Sequence, residues 1–354
     1  MNKDESKLIL IPCATIHPSY ITCYNEVHWE PRKPYKEKSS YNAELEMYKY
    51  QHLLESNRTA DGKVSTIAQR KIKKAIDYLL LFASDQKILS QRTGRKFNFK
   101  IAFITLTLPS KQIHTDNEIK RECLNQFIIE LQKYHQVKNY VWRAEQQKNG
   151  NIHFHIITDK FIHWNDVRNR WNRIVNKLGY VDRYREAMKK FYKDGFKVRE
   201  NLLKSWSKER QYFAYKRNLE TDYHSPNSTD IHSIKKIRNL QSYFVKYMTK
   251  NEPQEDDKTE TKTTNRKQQG RVWGSSNNLQ NLKGAQIVMD SELQEELNTI
   301  LDNSNCKAYV GDYFTCYYIN FKELNHYGNN RLFNTFANYL VKEFDYSVQL
   351  FTPG

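Results

Sequence analysis

Residues 145–155 read Glu-Gln-Gln-Lys-Asn-Gly-Asn-Ile-His-Phe-His and hold a dense set of groups able to do chemistry. His153 and His155 stand two apart inside the apolar run Ile152-His153-Phe154-His155-Ile156-Ile157. In a strand, alternate side chains share a face. Both imidazoles would then project together, with Ile152, Phe154 and Ile156 buried behind them. Tyr140 to Glu145 reads as a preceding strand, and Lys148-Asn149-Gly150-Asn151 supplies the Asn-Gly signal of a hairpin. Closing that hairpin returns the Glu145 carboxylate toward the imidazoles. Two imidazoles and one carboxylate on one sheet face suit a half-open divalent-metal site. The same spacing also serves a purely structural histidine pair.

A second constellation is Tyr243-Phe244-Val245-Lys246-Tyr247-Met248-Thr249-Lys250, Tyr-x-x-Lys written twice. On a helix over 234–250, Ile237, Leu240, Phe244 and Met248 form an apolar stripe at ~100° per residue. Tyr243 and Tyr247, four apart, stack along one flank of that stripe, with Lys246 and Lys250 toward solvent on the same side. A phenol with a pKa of about 10 needs a nearby cation to favour phenolate, and each tyrosine has one. They are candidate nucleophiles; the alternative is a pair of tyrosines packing a helix edge.

The elements around these groups set their stage. The sequence predicts a helix over Tyr41–Leu54 and a stronger one from Val64 to Ala83, whose apolar positions recur at the helical period. Phe97 to Leu108 reads as a strand in which Thr105 and Thr107 face away from Leu106 and Leu108. Thr115 to His135 is a helix, and Trp164, Val167, Trp171, Ile174, Val175 and Leu178 mark another that Gly179 stops. Residues 184–232 are polar, aromatic and mostly helical until a loop at 223–228. The order strand, helix, hairpin, helix predicts an α+β domain: an antiparallel sheet with helices on one face and the histidines on the other. The expected organisation is an irregular and helical extension over 1–94, a domain over 95–280 with a polar mobile loop at 251–269, and an α/β extension over 281–354.

The 57 Lys and Arg against 40 Asp and Glu give a formal net charge of +17, accompanied by 24 Tyr, 17 Phe and 6 Trp. Cationic surface with many flat rings suits phosphate neutralisation and base stacking. No run approaches the roughly 20 apolar residues of a membrane span, and the N-terminus lacks a signal-peptide pattern. Five cysteines without a Cys-x-x-Cys argue against a disulfide framework and a zinc ribbon. The expectation is a cytoplasmic protein of a reducing compartment, in a bacterial host cell, without membrane partners.

Taken together, Glu-x7-His-hydrophobic-His followed by a doubled Tyr-x-x-Lys resembles the HUH endonucleases, and among them the two-tyrosine rolling-circle replication initiators of phages, plasmids and mobile elements. Phe103-Ile104-Thr105-Leu106-Thr107 matches their first motif, His153-Phe154-His155 the metal motif and Tyr243-x-x-x-Tyr247 the nucleophile motif; Gly270-Arg271-x-Trp273-Gly274 is similar to a segment that follows the tyrosines. The resemblance covers roughly residues 95–280. It implies an HUH/RRM-like nuclease core in which His153, His155 and Glu145 hold Mg²⁺ or Mn²⁺. It implies that Tyr243 and Tyr247 cleave and rejoin single-stranded origin DNA near a hairpin through a 5′-phosphotyrosine link, with Lys246 and Lys250 steadying the phenolate or the phosphate. No Gly-x-x-x-x-Gly-Lys-Ser/Thr loop is found, so helicase and polymerase would come from the host. A transposase or mobilisation relaxase with the same chemistry, and a non-catalytic DNA-binding regulator, are the alternatives.

Overall fold

The structure is a computed structural model describing residues 7–30, 64–84, 86–90, 93–233, 244–246, 248, 268–280, 282–326 and 330–346. The chain opens with strands β1 (Lys7–Ile16) and β2 (Ile21–Glu30), then helix α1 (Thr66–Phe82) and the short strands β3 (Gln86–Leu89) and β4 (Lys96–Phe99). Strand β5 (Ala102–Leu106) leads to α2 (Asp116–Ile119), a π-helical turn at Lys120–Leu124 and α3 (Asn125–His135). The hairpin β6 (Tyr140–Gln146) and β7 (Ile152–Thr158) follows, then α4 (Trp164–Asn176), α5 (Tyr180–Phe191) and α6 (Lys208–Glu220). Next come β8 (Thr229–Ser233), β9 (Trp273–Ser275), β10 (Ala285–Val288), α7 (Ser291–Asn303), β11 (Lys307–Val310), β12 (Phe314–Tyr318) and α8 (Arg331–Phe344).

Two compact units result, one of residues 1–58 with 281–354 and one of residues 59–280. The second holds a five-stranded antiparallel sheet in the order β8-β5-β7-β6-β9. One face bears Ala102, Ile104, Leu106, Trp142, Ala144, Ile152, Phe154 and Ile156, which form a core with Phe127 and Leu131 of α3 and with Val167, Trp171 and Ile174 of α4. Trp171 meets Phe127 and Phe154 edge-on, at 5.6 and 6.1 Å between centroids. Each such fully buried side chain contributes about 1.5–3 kcal/mol of transfer free energy. This is the α+β arrangement expected from the order of elements, with helices on one face of an antiparallel sheet.

The helix caps agree with the local sequence. Thr115 and Glu118 form a reciprocal capping box at the start of α2, and Gly179 takes φ +73° where α4 gives way to α5. The apolar run 97–108 is divided at Lys100-Ile101, because β4 pairs with β3 in a separate ribbon while β5 enters the central sheet. Strands β8 and β9 arise from polar segments. β8 is an edge strand whose Ile231 alone packs on the core, so its sequence lacks an apolar alternation.

The terminal unit is a second antiparallel sheet, β10-β1-β2-β12-β11. The start of the chain is thus built of two ten-residue strands, where an irregular and helical stretch was expected. The prolines misled: Pro12 sits inside β1, but its carbonyl accepts from Met289 N at 2.8 Å just past the Cys13–Val288 pair that ends the β10 ladder. Its missing N–H is the reciprocal donor of that contact, so the ladder to β10 stops there on a single bond. The expected helix at 41–54 and most of the expected loop 251–269 lie outside the described residues.

Candidate metal centre

The hairpin forms with the register that brings the three groups together: Glu145 pairs directly with His153, and Arg143 with His155. Its loop makes a turn over Gln147–Gly150 (Gly150 N to Gln147 O, 2.9 Å), with Gly150 at φ +84°. Asn151 ties the loop to the neighbouring chain, its Oδ1 accepting from Gln112 N at 2.9 Å and its Nδ2 donating to Ser110 O at 2.9 Å. Over the first five residues of β7 the alternation holds: Ile152, Phe154 and Ile156 are buried, and His153 and His155 point to the other face.

On that face the two Nε2 atoms are 3.0 Å apart, and Glu145 Oε2 lies 3.5 Å from that of His153 and 3.7 Å from that of His155. Two ligands at right angles about an ion held at about 2.1 Å are about 3 Å apart, so these spacings fit three neighbouring positions around one divalent cation. Thr105 Oγ1 lies 3.1 Å from His155 Nδ1. In the tautomer that donates Nδ1–H to Thr105, the His155 lone pair is at Nε2, facing the centre. His153 Nδ1 is buried with no protein partner. Burial alone would raise the Glu145 carboxyl, but the approach of His153 and His155 and their charge outweigh it and hold it at about 2. Burial pushes the His153 imidazole down, against the Glu145 carboxylate beside it. An ionised carboxylate and a neutral imidazole are the forms that ligate metal. Two imidazole nitrogens and one carboxylate oxygen suit a divalent cation, and no cysteine sulfur joins them.

Two residues without an assigned role in the sequence reading support this cluster. Arg143, 3 % exposed, sets its Nε 3.9 Å from Glu145 Oε1 and donates from Nη1 to Val272 O at 3.3 Å. Val272 O also accepts from Ala144 N at 2.8 Å, so the 270–274 segment anchors the strand that carries Glu145. Gly274 is required there, because a Cβ would lie 2.6 Å from Trp142 Nε1. Thr105 is the other supporter, turned toward His155 as the alternation of 105–108 expected. Period two marked Arg143 as sharing the Glu145 face; its lack of an obvious role hid it.

Of the candidate nucleophile helix, Tyr243, Tyr247 and Lys250 lie outside the described residues. Lys246 is described, helical and exposed. Phe244 and Met248, which follow the two tyrosines in sequence, are fully buried. Phe244 stacks on Phe103 at 5.8 Å between centroids, and Phe103 stacks on His155 at 5.2 Å. A helical apolar residue therefore packs on the histidine-bearing face of the sheet.

The fold and the centre define an antiparallel-sheet protein with a histidine–carboxylate cluster on its less covered face. Residues 101–252 match the model of the family described as Replication-associated protein ORF2, a span of less than half the chain. No curated protein and no solved structure matches. Among the described residues no helix is long and apolar enough to cross a membrane.

Proposed function

We propose that residues 59–280 nick and rejoin single-stranded DNA to initiate rolling-circle replication. The observation that carries this reading is the convergence of Glu145, His153 and His155 on one point, beside the Phe103–Phe244 stack, within the span that matches a replication-associated family. Mg²⁺ or Mn²⁺ held by the three residues would offset charge on the scissile phosphate. Thr105 and Arg143 keep the ligands in place. Tyr243 or Tyr247 attacks phosphorus through its phenolic oxygen; a Tyr O–P bond forms, the P–O3′ bond breaks, and the 3′ oxygen leaves as a hydroxyl after taking a proton. Lys246 and Lys250 favour the phenolate. The freed 3′-hydroxyl primes synthesis by a host polymerase behind a host helicase, and the second tyrosine permits the second cleavage and joining.

The test is incubation of labelled single-stranded origin DNA with the protein and Mn²⁺, read on a denaturing gel. A covalent adduct is expected, lost in the Tyr243→Phe/Tyr247→Phe double variant. An adduct that survives the double substitution, or uncut DNA with the wild type, overturns the reading.

A further inference from the structure

A second cluster of cations and rings lies outside the metal centre, at the start of α4 and its neighbours. Trp164 is 52 % exposed. The Arg168 guanidinium lies over its indole at 4.9 Å and donates from Nη2 to Asn227 Oδ1 at 2.5 Å. Arg168 Nε is buried with no partner. Arg217 of α6 is exposed and close enough for its positive charge, after burial, to depress the ionisation of Arg168. Four other cations of α4 and α5 are neutralised: Arg170 and Arg173 pair with Glu130, and Arg185 and Lys189 with Asp222. Among the described residues neither Arg168 nor Arg217 has a carboxylate partner. Residues 180–220 carry twelve Lys and Arg against six Asp and Glu, so the surroundings do not cancel this charge.

Two guanidiniums within range of each other's charge and without an acid repel each other, and the repulsion eases when an anion enters. A half-exposed indole beside them offers a flat face. Phosphate plus ring is the chemistry of a nucleotide. A bare structural lock of loop 224–228 would need Arg168 and Asn227, but neither the exposed ring nor Arg217.

The loop also connects this cluster to the metal centre. Asn172 Nδ2 donates to Pro226 O at 3.0 Å, and Ser228 O accepts from Thr107 N at 2.8 Å, which leads into edge strand β8. β8 lies two strands from β7, so Asn227 is roughly 15 Å from the histidines at ordinary strand spacing and rise. That is within the reach of a strand a few nucleotides long.

We propose that Trp164, Arg168 and Arg217 form a subsite for a nucleotide of single-stranded DNA flanking the cleavage position: a base stacks on Trp164 and a phosphate sits between the guanidiniums. The proposal rests on the nicking reading for its position relative to the cut, but not for its chemistry.

The test measures binding of labelled single strands of two lengths by fluorescence anisotropy, with the full chain. One strand reaches only the nicked position; the other extends several nucleotides to both sides. Trp164→Ala is expected to weaken the long strand by roughly 5- to 150-fold, the range for one stacked base, and Trp164→Phe to restore most of it. Arg168→Gln with Arg217→Gln is expected to lower the slope of log affinity against log salt by about 0.7, one neutralised phosphate on a single strand. The short strand should bind these variants as it binds the wild type. Unchanged long-strand affinity and slope overturn the subsite, and so does duplex DNA that competes equally and suffers the same losses. Adduct formation on the short strand is scored in parallel. Its absence from the wild type counts against the nicking reading alone, and its persistence in variants that lose the long strand supports both.

Discussion

The sheets of the two units share a plan and differ in what they leave in the open. In the unit of residues 59–280, α3 and α4 cover one face, and the other presents Thr105, Arg143, Glu145, His153 and His155. In the terminal unit, Ala14, Ile16, Ile21 and Ala285 share the buried face by register, and α8 packs against β10. Its other face presents neutral rings: Tyr309 and Tyr318 are each 57 % exposed and Phe314 is 40 % exposed, with Phe314 opposite Tyr24. Covered faces of both sheets are built alike from apolar residues. Period-two alternation then lets each strand carry one stabilising set and one independent set. The first sheet spends the independent set on groups that repel or attract one another strongly; the second fills it mostly with neutral rings, with the exposed charges Glu26 and Lys307 on the same face by register.

That separation of faces is tested most sharply by adjacent residues of one strand. His153→Ala should reduce Mn²⁺-dependent adduct formation by at least ~100-fold, since loss of a residue that only supports a ligand already costs 10–100-fold. It should leave the unfolding midpoint nearly unchanged. Phe154→Ala, one residue on and fully buried, should cost about 3–5 kcal/mol in denaturant unfolding. If both variants unfold alike, the histidine face is structural and the comparison collapses.

A smaller effect separates a ligand from its support. Thr105→Val removes the oxygen 3.1 Å from His155 Nδ1 and keeps the volume. Mn²⁺ affinity, read by calorimetry, should fall roughly 10- to 100-fold with the fold intact. An unchanged affinity would show that the Thr105 contact does not orient the ring.

The covered side has its own ionic network, and it should respond to pH differently from a neutral face. Glu130 of α3, 5 % exposed, accepts from Arg170 at 3.1 Å, from Arg173 at 2.5 Å and from Gln126 at 3.1 Å. Burial raises its carboxyl, and these donors outweigh burial, so it titrates below its usual range. A depressed carboxyl stabilises the fold above its unfolded pKa of about 4.3, and that contribution disappears as pH falls through the folded value. Glu130→Gln should therefore cost about 1–3 kcal/mol at neutral pH, and the gap from wild type should close below about pH 4. A gap that persists in acid would assign the loss to packing.

Much of this was legible in the sequence where one residue type does one job. The alternation Ile152-His153-Phe154-His155 and the Asn-Gly turn were enough to bring Glu145 to His153 and His155, because a hairpin is local and its register follows from its loop. The helices over 66–82 and 164–176 showed their apolar stripes. What stayed hidden depends on distant pairing. β9 is a three-residue strand that exists because β6 accepts it, and β1 joins β10 across more than 260 residues of chain. Arg143 reads as an ordinary strand cation until Val272 O and Glu145 are placed on either side of it. Arg168 and Arg217, whose charges act on each other, lie on different helices, and no local pattern announces them.

The terminal sheet should show the smallest effects. Tyr309, Phe314 and Tyr318 lie on its open face, with Tyr309 and Phe314 5.9 Å apart between centroids. Exposed rings bury little on folding, so each of Tyr309→Ser, Phe314→Ser and Tyr318→Ser should change unfolding free energy by no more than about 0.5 kcal/mol. Adduct formation on the short DNA strand should stay at the wild-type level, because these residues belong to the other unit. The neighbouring Cys316, 8 % exposed, marks how quickly this face becomes packed toward its centre. A loss above about 1 kcal/mol at Tyr318 would mean that the rings are buried in the folded chain. The contrast between a face dense in ionisable groups and one lined mostly by open rings would then have to be withdrawn for the terminal sheet, while the histidine face would be judged on its own variants.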